Sequence, residues 1–89
     1  MEKITRQDMA ALVGKHAGTS KWFVIDQTRI DTFADITEDH QYIHVDPDAA
    51  KQSPFGTTIA HGFLTLSMLS AMIYDGVPDI EGAEMGVNY

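Results

Sequence analysis

An aspartate and a histidine five residues apart, Asp39 and His44, stand in segment 33–47, Phe-Ala-Asp-Ile-Thr-Glu-Asp-His-Gln-Tyr-Ile-His-Val-Asp-Pro. On one regular helix that spacing puts them on well-separated faces, whereas in an irregular loop between two helices they can converge on one point. A carboxylate and an imidazole sharing a water supply a base and an acid, and imidazole titrates near neutral pH. Further on, the loop Pro54-Phe55-Gly56-Thr57-Thr58-Ile59-Ala60 runs through His61 and Gly62 into the most apolar stretch of the chain. The first amides of a helix lack intrahelical partners, and the helix dipole makes that end attractive to developing negative charge. Gly62 has no Cβ, so a ligand can approach its N–H closely. A thioester carbonyl placed there would be polarised as an oxyanion forms.

Each of these residues has a plainer role open to it. Asp39 is also a natural turn or capping residue, and His44 a satisfied, half-buried histidine. His40 and His44 form an i, i+4 pair, the spacing of helical metal sites. No His-Glu-x-x-His pattern accompanies them and Pro47 is close by, so no metal is expected. His61 reads as a locally hydrogen-bonded residue that fixes the loop, and Gly62 also suits close packing of helix on sheet.

The elements that must position these groups follow from capping signals and periodicity. Thr5 suits the N-cap of a first helix, with Asp8 placed for its dipole, an apolar stripe of Met9, Leu12 and Val13, and Gly18 as a stop. Lys21 to Asp26 is short, aromatic and β-branched, which predicts a strand. Thr28 is expected to cap a second helix with Ile30, Phe33 and Ala34 on its apolar face. Asp46-Pro47 reads as an N-cap followed by proline at the first position of a third helix. From His61 to Tyr74, Phe63, Leu64, Leu66, Met68, Leu69, Met72 and Ile73 cover most of a helix's circumference, so this helix is expected to be buried on most sides. One strand and an incipient one at Met85–Tyr89 cannot enclose it. The expectation is a truncated domain, or one whose sheet comes partly from another chain.

Composition narrows the classes. Eighty-nine residues make at most one small domain with a modest core. No cysteine is present to form disulfides or thiolate zinc sites. Thirteen acidic residues against six basic ones, a net charge of −7, argue against nucleic-acid binding and against an anionic membrane surface. The polar, acidic N-terminus does not suit a signal peptide, and Gly62–Tyr74 is too short to span a bilayer. A soluble cytoplasmic protein is expected.

Taken together in that order, Phe33-Ala34, Asp39 and His44-Val45-Asp46-Pro47, followed by Pro54-Phe55-Gly56 and Ile59-Ala60-His61-Gly62, resemble the signature of the MaoC-like, or (R)-specific enoyl-CoA hydratase, family. The variant with Glu38-Asp39-His40-Gln41 and Gly56-Thr57-Thr58-Ile59-Ala60-His61-Gly62 is closest to its NodN-like subgroup. Matched positions run from about Trp22 to Tyr89, and Met85–Tyr89 looks like the start of the family's next long strand.

The resemblance implies an α+β hot-dog fold, in which an antiparallel sheet wraps a central helix, here His61 to Tyr74. It implies reversible hydration of a trans-2-enoyl-CoA to the (3R)-hydroxyacyl-CoA. Asp39 and His44 would hold the water, Asp39 activating it and His44 protonating C2, while the Gly62 N–H receives the thioester oxygen. Ser70 matches a position near the acyl pocket. No metal or redox cofactor is implied, because the thioester supplies the acidity at C2 and coenzyme A is part of the substrate. Members of the family continue through further strands that complete the sheet, build the dimer and bring basic residues to the CoA phosphates. Two rival readings therefore stand beside hydration: a non-catalytic hot-dog fragment or subunit that binds an acyl thioester or a partner chain, and a hot-dog acyl-CoA thioesterase. Under all three, the apolar surface predicts a homo-oligomer, at least a dimer.

Overall fold

The structure is a computed structural model and describes residues 2–88. The chain forms β1 (Lys3–Ile4), α1 (Arg6–Ala11), α2 (Gln27–Thr37), α3 (Tyr42–Val45), α4 (Pro47–Ala50), α5 (Gly62–Ser67), α6 (Leu69–Gly76) and β2 (Asp79–Ile80). It is a mixed helical chain with few strands, and it falls into two compact units. One joins the residues up to Trp22 with those from Ser70 on, and the other is Phe23–Leu69.

In the first unit Thr5 caps α1 through a capping box. Its hydroxyl accepts from the Asp8 amide at 3.0 Å, and the Asp8 carboxylate accepts from the Thr5 amide at 3.3 Å. The helix ends at Ala11, before the expected stop at Gly18, and Gly14 takes the left-handed φ of 79° instead. Gly18 has a different role: a Cβ there would overlap the Gly76 carbonyl oxygen, so these two backbones meet only because side chains are absent. The neighbouring Lys21 amide donates to the Asp75 carboxylate at 2.7 Å. β1 and β2 pair in parallel, Lys3 with Asp79 and Ile4 with Ile80. This short pair is not the antiparallel sheet that the family resemblance led us to expect.

The second unit holds every residue buried among those described: Ile30, Ala34, Ala50 and Leu64, with His44, Ser53 and His61 as polar members. α2 is capped by Asp26, not by Thr28 as expected. The Asp26 carboxylate accepts from the Arg29 amide at 2.9 Å, and Asp26 is extended at φ −86°, ψ 174°. Thr28 sits inside the helix and its carbonyl accepts from the Thr32 hydroxyl. Ile30 and Ala34, one turn apart, face inward as the periodicity predicts. Asp46 closes α3 and caps α4 through the Ala49 amide at 3.0 Å, with Pro47 at the first position.

Four other expectations also fail. Lys21–Asp26 forms no strand, since propensity alone does not supply a ladder and the paired stretches among the described residues are β1 and β2. Residues 85–88 likewise form no strand, and Tyr89 lies outside the described residues. The helix expected over His61–Tyr74 is broken at Met68. Its amide is shared between the Leu64 and Thr65 carbonyls at 3.1 and 3.2 Å, and the Ser67 hydroxyl donates back to the Phe63 carbonyl at 2.7 Å, a contact that bends helices. Nor is that stretch buried on most sides: Phe63 is 75% exposed and Leu66 62%.

Candidate active site

α2 ends on Glu38, whose left-handed φ of 62° is unusual for a residue with a side chain. That reversal turns the chain off the helix axis and starts the loop bearing Asp39. α3 then carries His44 back toward the loop before α5. α3 and this loop are tied by the Ile59 amide donating to the Ile43 carbonyl at 2.9 Å. Asp39 and His44, five residues apart in sequence, come together because the non-helical stretch 39–41 keeps Asp39 off the helix that carries His44.

One polar atom from each of Asp39, His44 and His61 lies within 4.8 Å of the other two. Two groups that hydrogen-bond the same water at about 2.8 Å lie within roughly 5 Å of each other, so the cluster has the dimensions of a shared-water site. Asp39 is exposed, while His44 and His61 are 7% and 3% exposed. His44 Nδ1 lies 2.8 Å from the Ile59 carbonyl oxygen. A carbonyl only accepts, so Nδ1 donates and the lone pair of the neutral ring sits on Nε2. His61 Nε2 lies 3.0 Å from the Asp39 carbonyl and 4.0 Å from its carboxylate, so Nε2 donates and the lone pair sits on Nδ1. The two rings stack, centroids 3.8 Å apart and planes 21° from parallel, and Phe33 packs on His61 at 5.0 Å.

The cluster has the spacing of a cation site as well as of a shared-water site, with three potential ligand atoms this close. His40, the other half of the i, i+4 pair, is not part of it. Its Nε2 is 2.9 Å from the Asp35 carboxylate.

Gly62 is the first residue of α5, and His61 occupies the N-cap without making a side-chain cap. A Cβ at Gly62 would meet nothing within 4 Å among the described residues, so packing there does not explain this glycine. Ser70 belongs to the other unit. Its hydroxyl accepts from Asn88 Nδ2 at 3.0 Å, beside a groove of about 230 Å³ lined also by Ile73, Tyr74 and Val87. A second groove, of about 470 Å³, has Phe33, Ile36 and Leu64 on its apolar side with Arg29 and Thr32 among its polar residues.

Two participants are not legible in the sequence. Gln27, in the first turn of α2, donates from Nε2 to the His44 carbonyl at 2.7 Å and to Asp31 at 2.9 Å, and its Oε1 accepts from the Thr58 hydroxyl at 2.7 Å. It joins α2, α3 and the loop before α5. No periodicity marks a lone glutamine. His61 was expected to bond locally, yet its partner Asp39 is twenty-two residues back. The available signal was a histidine at a helix N-cap, where Ser, Thr, Asp or Asn is usual.

The MaoC like domain family matches residues 8–88, and the chain belongs to that family. Nodulation protein N from Rhizobium meliloti (strain 1021) is 56% identical over 90 residues, covering 100% of this chain and 56% of that protein. The 3-hydroxyacyl-thioester dehydratase Z of Mycobacterium tuberculosis (strain ATCC 25618 / H37Rv) is 46% identical over 82 residues, 92% of this chain and 54% of that protein. A 3-hydroxybutyryl-CoA dehydratase from Methylorubrum extorquens is 44% identical over 46 residues, 52% of this chain and 29% of that protein. The chain spans about half the length of the first two. No helix among the described residues is long and apolar enough to cross a membrane.

Proposed function

We propose that the chain carries the working half of a site for reversible hydration of trans-2-enoyl-CoA to (3R)-hydroxyacyl-CoA. The observation that supports this most is the convergence of Asp39 with a His44 whose Nδ1 is committed to a carbonyl and whose Nε2 is left for chemistry. In the hydration direction Asp39 takes a proton from water as the oxygen bonds to C3. The C2=C3 electrons move toward the thioester oxygen, which the Gly62 N–H stabilises. His44 in its doubly protonated form delivers the Nε2 proton to C2, leaving the neutral ring with Nδ1 still donating to Ile59, and the thioester carbonyl re-forms. Passage of the proton from Asp39 back to His44 through solvent resets the pair. One water is added and no electrons are gained or lost, so the step needs no redox cofactor, and coenzyme A enters as part of the substrate. The dehydratase names of two relatives are consistent with the reverse direction of this step.

On this reading residues 1–89 are the N-terminal portion of a single hot-dog domain, and the helix α5–α6 region is the part its sheet wraps. Exposed Trp22, Phe63 and Leu66 suit coverage by further strands in an oligomer of at least two chains. The groove beside Ser70 suits an acyl chain. The product from crotonyl-CoA tests the proposal. Mass spectrometry should find one added water, and chiral separation should find the (3R) alcohol. The (3S) alcohol would contradict the stereochemistry, and release of free coenzyme A would favour the thioesterase.

A further inference from the structure

We propose that His61 is a positioning residue for the Asp39–His44 pair, holding the Asp39 loop through its Nε2–H and the plane of the His44 ring through the stack. This rests on reading that pair as the working groups. Asp39 follows a residue in a left-handed conformation, which persists only where the surroundings hold it. Among the described residues its own carboxylate receives only a long 3.4 Å bond from the Gln41 amide, so the tether from His61 to its carbonyl, 3.0 Å, is the long-range bond that places it. Among the described residues His44 has a single side-chain bond, to Ile59, which sets its tautomer but leaves the ring free to rock. The face of His61, 3.8 Å away and 21° from parallel, removes that freedom, and Phe33 backs His61 in turn.

The choice of histidine is informative. Among the described residues His61 Nδ1 is buried without a hydrogen-bond partner, and burying such a group carries a desolvation cost that phenylalanine in the same space would avoid. His61 also stands at the N-cap of α5 without capping it. A residue selected for packing or for helix stability would be something else. Histidine, unlike phenylalanine or glutamine, presents both a flat face to His44 and a donor to Asp39.

Two variants separate these properties. His61→Phe keeps the face and loses the donor, and His61→Gln keeps an N–H and loses the face. With folding checked by circular dichroism, each should lower kcat for crotonyl-CoA hydration by about tenfold or more, with KM changed less than about threefold, the pattern of misplaced catalytic groups. Imidazole nitrogen NMR should show His44 protonated at Nδ1 and His61 at Nε2 in the parent, with the His44 tautomer mixed in His61→Gln. A kcat within about twofold of the parent in both folded variants would overturn the proposal. So would the opposite tautomer at either ring of the parent, a readout that stands even when neither variant folds. A folded parent without hydration activity would defeat the proposed function instead. The His44 spectrum then decides this inference alone, and no change in it for His61→Gln would sink it.

Discussion

Removing the Gln27 side chain is the sharpest structural perturbation that leaves the candidate residues themselves intact. Gln27→Ala deletes three hydrogen bonds, to the His44 carbonyl, to Asp31 and from Thr58. The bond to Asp31 is exposed and contributes little, whereas the other two are partly buried. At about 1–1.5 kcal/mol for each of these, the expected loss is roughly 2–3 kcal/mol, including the cost of leaving the His44 carbonyl and the Thr58 hydroxyl underserved. Thr58→Val removes one of the two bonds and should cost about 1 kcal/mol. Because the bond from Thr58 is already gone in Gln27→Ala, the double variant should fall short of the sum by about 1 kcal/mol. Urea unfolding followed by circular dichroism measures all three, with m expected to stay constant. A loss below about 0.5 kcal/mol for Gln27→Ala, or additivity within about 0.3 kcal/mol, would refute the view that this amide ties α2, α3 and the loop before α5 together.

Two glycines should respond in opposite ways. Gly18→Ala forces a methyl group into the Gly76 carbonyl and should cost about 1–3 kcal/mol in thermal or urea unfolding. Gly62→Ala meets open space and should change stability by less than about 0.5 kcal/mol, while lowering kcat about tenfold if a thioester must approach that amide. Asp46→Ala removes the α4 cap and should cost about 1 kcal/mol in the same unfolding assay.

Local capping was legible in the sequence because it depends on neighbours within four residues. The Thr5–Asp8 box and the Asp46-Pro47 start of α4 both form. Where two caps competed, the choice went to Asp26 over Thr28, and the consequence was only a two-residue shift of the helix start. That Asp39 and His44 could converge was legible from their spacing and the loop between them, although the left-handed Glu38 that ends α2 just before Asp39 carries no sequence mark. Long-range features were not legible. The parallel pairing of β1 with β2 joins residues at opposite ends of the chain. The break at Met68 depends on a serine turning its hydroxyl back onto the helix. Gln27 and His61 act through bonds spanning 17 to 31 residues. Apolar composition suggested a buried helix, but burial requires a covering surface, and Phe63 and Leu66 stand exposed.

The most direct test of the central claim is the rate of crotonyl-CoA hydration, read as loss of enoyl absorbance, for this chain and for Asp39→Asn and His44→Ala. The account predicts measurable hydration by the parent and a loss of about a hundredfold or more in kcat for each variant, with far-ultraviolet circular dichroism unchanged. Parent-like rates in either folded variant, or no hydration by a folded parent, would contradict it.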